Sequence, residues 1–192
     1  MNAPTRARIS PEEFNRILAL PENQDRTLEL WDGEILETMP SRLHSYIQIL
    51  LGSMFVNYLT ANPIGYAYTE FRIDIGDESY KLVPDITVAL KEQGESDWYG
   101  SLPFMPALVV EIQSPDQSDR FMREKADYYV ERGCRLVITI YLKRIVEVRT
   151  KTDLKLLVPG DTIDGGDVLP GFRVEVAALF PKQDVHGGIA GE

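Results

Sequence analysis

The residues best suited to chemistry in this chain are Asp85, in the pair Pro84-Asp85, and Glu111 with Gln113, in the run Glu111-Ile112-Gln113. Each carboxylate sits beside an apolar run, Leu82-Val83 in one case and Leu108-Val109-Val110 in the other, and so reads as a residue at the end of a buried β-strand. A strand end is where a scaffold can hold a carboxylate rigidly. Side chains two apart on a strand share a face at a spacing of about 6–7 Å, which puts Glu111 and Gln113 on one side. If the strand bearing Asp85 is its neighbour, at roughly 4.8 Å, two carboxylates come within reach of one hard cation. Such a cation polarises a phosphodiester and lowers the pKa of a bound water, the two requirements for hydrolysing DNA or RNA.

The rest of the composition narrows the choice of metal. Two histidines, His44 and His186, and one cysteine, Cys134, cannot build a multi-histidine or cysteine-based zinc cage, so oxygen ligands and Mg²⁺, Mn²⁺ or Ca²⁺ are expected. A single cysteine also makes no intrachain disulfide, which predicts an intracellular, cytoplasmic protein with Cys134 as a small buried hydrophobe. The net charge of −10 opposes non-specific attraction to a polyanion. That counts against a pure nucleic-acid-binding module, and leaves room for an enzyme that gathers positive charge and metal at one cleft. No apolar run approaches the roughly 18 residues of a membrane span, and the first ten residues lack the apolar core of a secretory signal.

The elements that must position these residues are legible from periodicity and breakers. Ser10-Pro11-Glu12-Glu13 starts a helix expected to run to Ala19, and Asp32-Gly33 turns a hairpin between 27–31 and 34–38. Apolar residues at three-and-four spacing from Ser41 to Thr60 predict a long amphipathic helix opened by His44's turn and closed before Asn62-Pro63. Strands are expected over 66–75, 82–90 and 107–113, then a helix over 118–132 closed by Gly133, a strand over 135–142, and a pair over 144–149 and 154–158. Pro170-Gly171-Phe172 begins a last short element, Asp161 and Asp164 belong to a turn, and Ser114-Pro115 shapes and caps the entry to the second long helix. A mixed sheet covered by helices on both faces follows from this order. The length fits one domain, 9–181, between a flexible N-terminus (1–8) and a disordered glycine-rich tail (182–192) in which His186 is an exposed polar residue.

The two acidic signals, in this setting, resemble the PD-(D/E)XK nuclease superfamily, with Pro84-Asp85 as the PD and Glu111-Ile112-Gln113 as the (D/E)XK. More closely, the chain is similar to the Uma-two restriction-endonuclease family, a domain of unknown function. The matching pieces are Leu28 through Glu34, His44, Pro84-Asp85, Val110 through Pro115, Lys125 with Tyr129, Gly133, and Leu169-Pro170-Gly171-Phe172. The resemblance implies an α/β (α+β), restriction-endonuclease-like fold: a central four-stranded mixed sheet flanked by helices, with an N-terminal helix and hairpin added. It also implies metal-dependent phosphodiester cleavage with Mg²⁺ (or Mn²⁺), Asp85 and Glu111 as metal ligands, and a further acid completing the site. Glu29 is the preferred candidate for that acid, ahead of Glu34 and Glu70.

Gln113 departs from the superfamily pattern, because an amide can orient a water but supplies no positive charge to a developing phosphorane. Lys125, on the helix after the Glu111 strand, is similar to a relocated catalytic lysine, and its flexible stem can reach back over the strand end. Each residue also has a plainer reading. Lys125 could face solvent beside Asp119, Glu124 or Glu131, His44 could merely pack at its helix start, Gln113 could close the strand by hydrogen bonding, and Tyr128 and Tyr129 could be core. The leading expectation is an endonuclease acting on DNA, working as a homodimer because a duplex cut needs two sites. The alternatives are a catalytically silent interaction protein that keeps the nuclease fold, and a nuclease for RNA or branched nucleic acid.

Overall fold

A computed structural model describes residues 8–37, 39–94 and 97–181; Thr38, most of the expected N-terminal segment and the tail with His186 lie outside the described residues. Helix α1 (Pro11–Leu18) begins where expected: the Ser10 side chain accepts the Glu13 N–H, and Pro11 occupies the first turn. Strands β1 (Leu28–Trp31) and β2 (Glu34–Glu37) form the hairpin, with Asp32 and Gly33 both at positive φ, the backbone a two-residue primed turn demands. Helix α2 (Arg42–Ala61) is capped by Ser41, whose hydroxyl accepts the His44 N–H at 3.2 Å, and it stops at Asn62-Pro63.

Six further strands and a helix complete the main body: β3 (Gly65–Thr69), β4 (Ile86–Leu90), β5 (Leu108–Ile112), α3 (Asp119–Glu131), β6 (Leu136–Tyr141), β7 (Ile145–Arg149) and β8 (Leu154–Leu157). Strands β3 to β8 make one sheet in sequence order, antiparallel throughout except that β5 and β6 run parallel. The parallel pair is the one joined through α3, as a crossover requires. The sheet thus holds six strands rather than four. Strands β9 (Thr162–Asp164) and β10 (Arg173–Glu175) form a separate antiparallel pair, so Asp164 belongs to a strand rather than a turn.

Two expected strands are shorter than their apolar patterns. The 66–75 run ends at Thr69 because Glu70 takes φ +49°, and the 82–90 run joins the sheet only from Ile86. Between them the chain makes an excursion that docks the N-terminal hairpin: Leu30 and Lys81 exchange backbone hydrogen bonds at 3.0 and 2.9 Å. Helix α3 is capped by Ser118, accepting the Phe121 N–H, rather than by Ser114.

The sheet is covered on both faces. On one, Ile47, Leu51 and Phe55 of α2 pack against Ile86, Val88, Val110 and Ile138. On the other, Ala126 and Tyr129 of α3 meet Val109 and Val137. Each large side chain so buried contributes roughly 1.5–3 kcal/mol. The two clusters clamp β5 and β6 from both sides, which fixes the strand end carrying Glu111. No helix among the described residues is long and apolar enough to cross a membrane.

Candidate active site at the strand ends

Glu111 is the penultimate residue of β5, and the alternation that puts Val110 against α2 turns Glu111 toward α3, where it is 3% exposed. A carboxylate so placed must be paired. Helix α3 supplies two partners one turn apart: Lys125 Nζ lies 2.9 Å from Glu111 Oε1, and the Tyr129 hydroxyl donates to the same oxygen at 2.6 Å. The Lys125 ammonium also reaches Glu29 of β1, at 3.1 Å from Oε2 and 3.3 Å from Oε1, and Glu29 Oε1 accepts the Val83 N–H at 2.7 Å. A fully buried lysine therefore ties the N-terminal hairpin to the central strand.

Asp85 stands one residue before β4, at the same end of the sheet, with its backbone carbonyl accepting the Glu70 N–H at 3.2 Å. Its Oδ2 accepts the Ile112 N–H at 2.5 Å, and its Oδ1 lies 3.0 Å from His44 Nε2. The other imidazole nitrogen, Nδ1, is 3.3 Å from the buried Ser114 hydroxyl. Backbone and imidazole together hold the Asp85 carboxylate at one orientation.

These residues line one cleft of about 80 Å³, which includes Glu29, His44, Glu70, Asp85, Glu111 and Lys125. Its electrostatics are lopsided: four carboxylates face one lysine and one histidine. Burial pushes the Glu111 carboxyl up to about 7 against the opposing charge of Lys125, and the neighbouring charges of Asp85 and Glu29 add to the rise. Burial alone would lower the Lys125 pKa, but the charges of Glu111 and Glu29 overcome it and hold the ammonium protonated. In the same way, burial would lower the His44 pKa, yet its hydrogen bond to Asp85 and the charges of Asp85, Glu111 and Glu70 raise it.

The donor set fits a hard divalent cation. Surplus negative charge on oxygen ligands is what such an ion neutralises, and nothing soft is offered. Among the described residues no group of three or more His, Cys, Asp or Glu side chains could hold a metal by itself.

The other sequence candidates divide. Glu29 and Glu70 line the cleft, whereas Glu34 is an exposed residue at the start of β2 and is not among the lining side chains. Gln113 is not there either. Its amide nitrogen donates to the Gln117 carbonyl at 3.0 Å and to Asp119 at 2.9 Å, and its oxygen accepts the Leu142 N–H at 3.2 Å, so it braces the turn into α3. Lys125, far from facing solvent, is 2% exposed. Tyr129, a family-matching piece together with Lys125 and expected in the core, is buried and also donates to Glu111, a role that its position four residues after Lys125 could have signalled.

Comparison with known proteins adds three findings. The family model described as "Uma2: Putative restriction endonuclease" matches residues 11–177. An uncharacterized protein of Synechocystis sp. is 30% identical over 111 residues, 56% of this chain and 55% of its own length, so the chain spans about half of the curated relative it matches. The crystal structure of "a putative nuclease belonging to DUF820" from Anabaena variabilis superposes with a TM-score of 0.76 at 23% identity, covering 90% of this chain and 97% of that one, a likeness of fold.

Proposed function

The chain belongs to the Uma2 restriction-endonuclease family, and from that premise we propose that it is a metal-dependent endonuclease hydrolysing the phosphodiester bonds of DNA. One observation carries the reading: the cleft lined by Asp85 and Glu111 also contains the Lys125 ammonium, buried against Glu111, so the positive charge missing at position 113 is present from a different element.

Asp85 and Glu111 would hold the divalent cation, Mg²⁺ or Mn²⁺, with Glu29 and Glu70 adding negative potential. When bound, such an ion polarises the phosphoryl group and acidifies a water. The chain's own residues do the positioning. The Ile112 N–H and His44 fix the Asp85 carboxylate, Tyr129 and Lys125 fix Glu111, and Glu29 anchors the ammonium. Held without freedom to reorganise, Lys125 can oppose the charge that develops on a phosphorane at a cost already met in folding. A homodimer belongs to this proposal. The outward side of α2 supports it, with Tyr46, Ile49 and Val56 exposed at three- and seven-residue steps.

Purified protein should nick or cut plasmid DNA in Mg²⁺ or Mn²⁺, lose the activity in a chelator, and lose at least a hundredfold of it in Asp85→Ala. Unchanged cleavage by that variant would overturn the assignment. Calorimetry separates it from a catalytically silent nuclease fold: Mn²⁺ binding should be present and should disappear in Glu111→Ala.

A further inference from the structure

Strand β3 forms one edge of the sheet, and its register sets Tyr66 opposite Ala89 and Tyr68 opposite Thr87. Paired residues share a face, and Thr87 in turn pairs with Val109, two residues from Glu111. Tyr66 and Tyr68 therefore stand on the same side of the sheet as Glu111. Tyr68 lies two residues before Glu70, which lines the acidic cleft.

Around these tyrosines is a groove of about 420 Å³ that the proposed hydrolysis leaves without a role. Trp98, 63% exposed, packs edge-on to Tyr66 with ring centroids 5.1 Å apart and lies 6.3 Å from Tyr68, which itself stacks on Phe71 at 5.1 Å and 27°. Lys91 Nζ sits 5.7 Å from the Tyr66 ring centroid. Among the described residues no acidic side chain lines the groove, in a protein of net charge −10. A patch of exposed aromatic side chains with one ammonium suits a ligand that brings flat π-surfaces and negative charge together.

We propose that this groove stacks the unpaired bases of a single-stranded polynucleotide and leads it toward the Asp85–Glu111 cleft. The proposal rests on the nuclease reading and narrows its substrate class to nucleic acid with a single-stranded segment. Bases inside a duplex present no face to stack on, so the same surface discriminates against uninterrupted double helix. With one lysine at the groove, affinity should come mainly from stacking and fall only shallowly with salt.

The test uses the full chain, fluorescence anisotropy of a labelled oligothymidylate and of a duplex of equal length in Ca²⁺, and hydrolysis of bis(p-nitrophenyl) phosphate in Mn²⁺. Expected are binding of the single strand at least tenfold tighter than the duplex, loss of about tenfold in that affinity in Trp98→Leu and again in Tyr66→Leu, and near-complete retention in Trp98→Phe. Both positions are exposed, so the leucine variants keep the fold, which their melting curves check. Hydrolysis of the small diester should be unchanged in the groove variants. Equal affinity for duplex, or single-strand affinity indifferent to both leucine substitutions, overturns the groove. Absence of diester hydrolysis together with Trp98-dependent oligonucleotide binding sustains the groove while removing the nuclease reading.

Discussion

At the scale of single residues, Lys125 holds the site together. Its ammonium is the shared counter-charge of two carboxylates, Glu29 and Glu111, that are themselves 6% and 3% exposed. Lys125→Ala leaves both buried without their counter-charge, each keeping a single hydrogen bond, from the Val83 N–H and from Tyr129, and removing one partner of a buried ion pair costs about 3–5 kcal/mol. The expected outcome is a urea midpoint lowered in proportion, with the slope of the transition unchanged, and no DNA cleavage. A variant as stable as the parent would show that the pair relaxes into water. This residue was only half legible in the sequence. The motif and the helix after it pointed to Lys125, but its burial depends on Glu29, 96 positions earlier, and no local pattern carries that distance. Gln113 shows the reverse: its place in the motif suggested a water-orienting role, while its partners Gln117, Asp119 and Leu142 come from the turn and a strand end that only the folded chain brings near.

Elements decide which side chains can converge. Helix α3 delivers Lys125 and Tyr129 to the same carboxylate because residues four apart lie above one another on a helix face. Tyr129→Phe keeps the ring in its cluster and deletes only the donor. Stability should fall by about 1.5–3 kcal/mol, the range for a hydrogen bond to a charged group, with an unchanged circular dichroism spectrum; a larger loss would mean the helix itself had shifted. Helices and hairpin are legible nearly to the residue, since Ser10, Ser41, Asn62-Pro63 and Asp32-Gly33 are local signals that write their own geometry. The strands around 70–85 were overextended, because alternation continues through Glu70 although its left-handed backbone ends the pairing. Ser118 took the capping role given to Ser114 for a tertiary reason: the Ser114 hydroxyl is already turned inward, toward His44.

At the scale of the molecule, the sheet's two faces are covered unequally in kind. Helix α2 buries one side against the core and leaves Tyr46, Ile49 and Val56 facing outward. A helix apolar on more than one side is normally covered on more than one side. Light scattering at micromolar concentration should therefore give twice the 21.8 kDa chain mass, and Ile49→Glu, at a position 73% exposed, should give the monomer without lowering the melting temperature of the domain. A parent that scatters as a monomer removes the dimer.

The span bridged by Lys125 has a consequence for biosynthesis. A chain emerging from the ribosome presents Asp85 and Glu111 before Lys125 has been added, and the ammonium reaches its seat only once α3 has folded back onto β5 and the hairpin has docked. In the proposed nuclease, the acidic pair is thus without its positive charge until the N-terminal and central parts of the chain have met. Partial translation products that end before Lys125 would carry Asp85 and Glu111 without the ammonium that the proposed site needs.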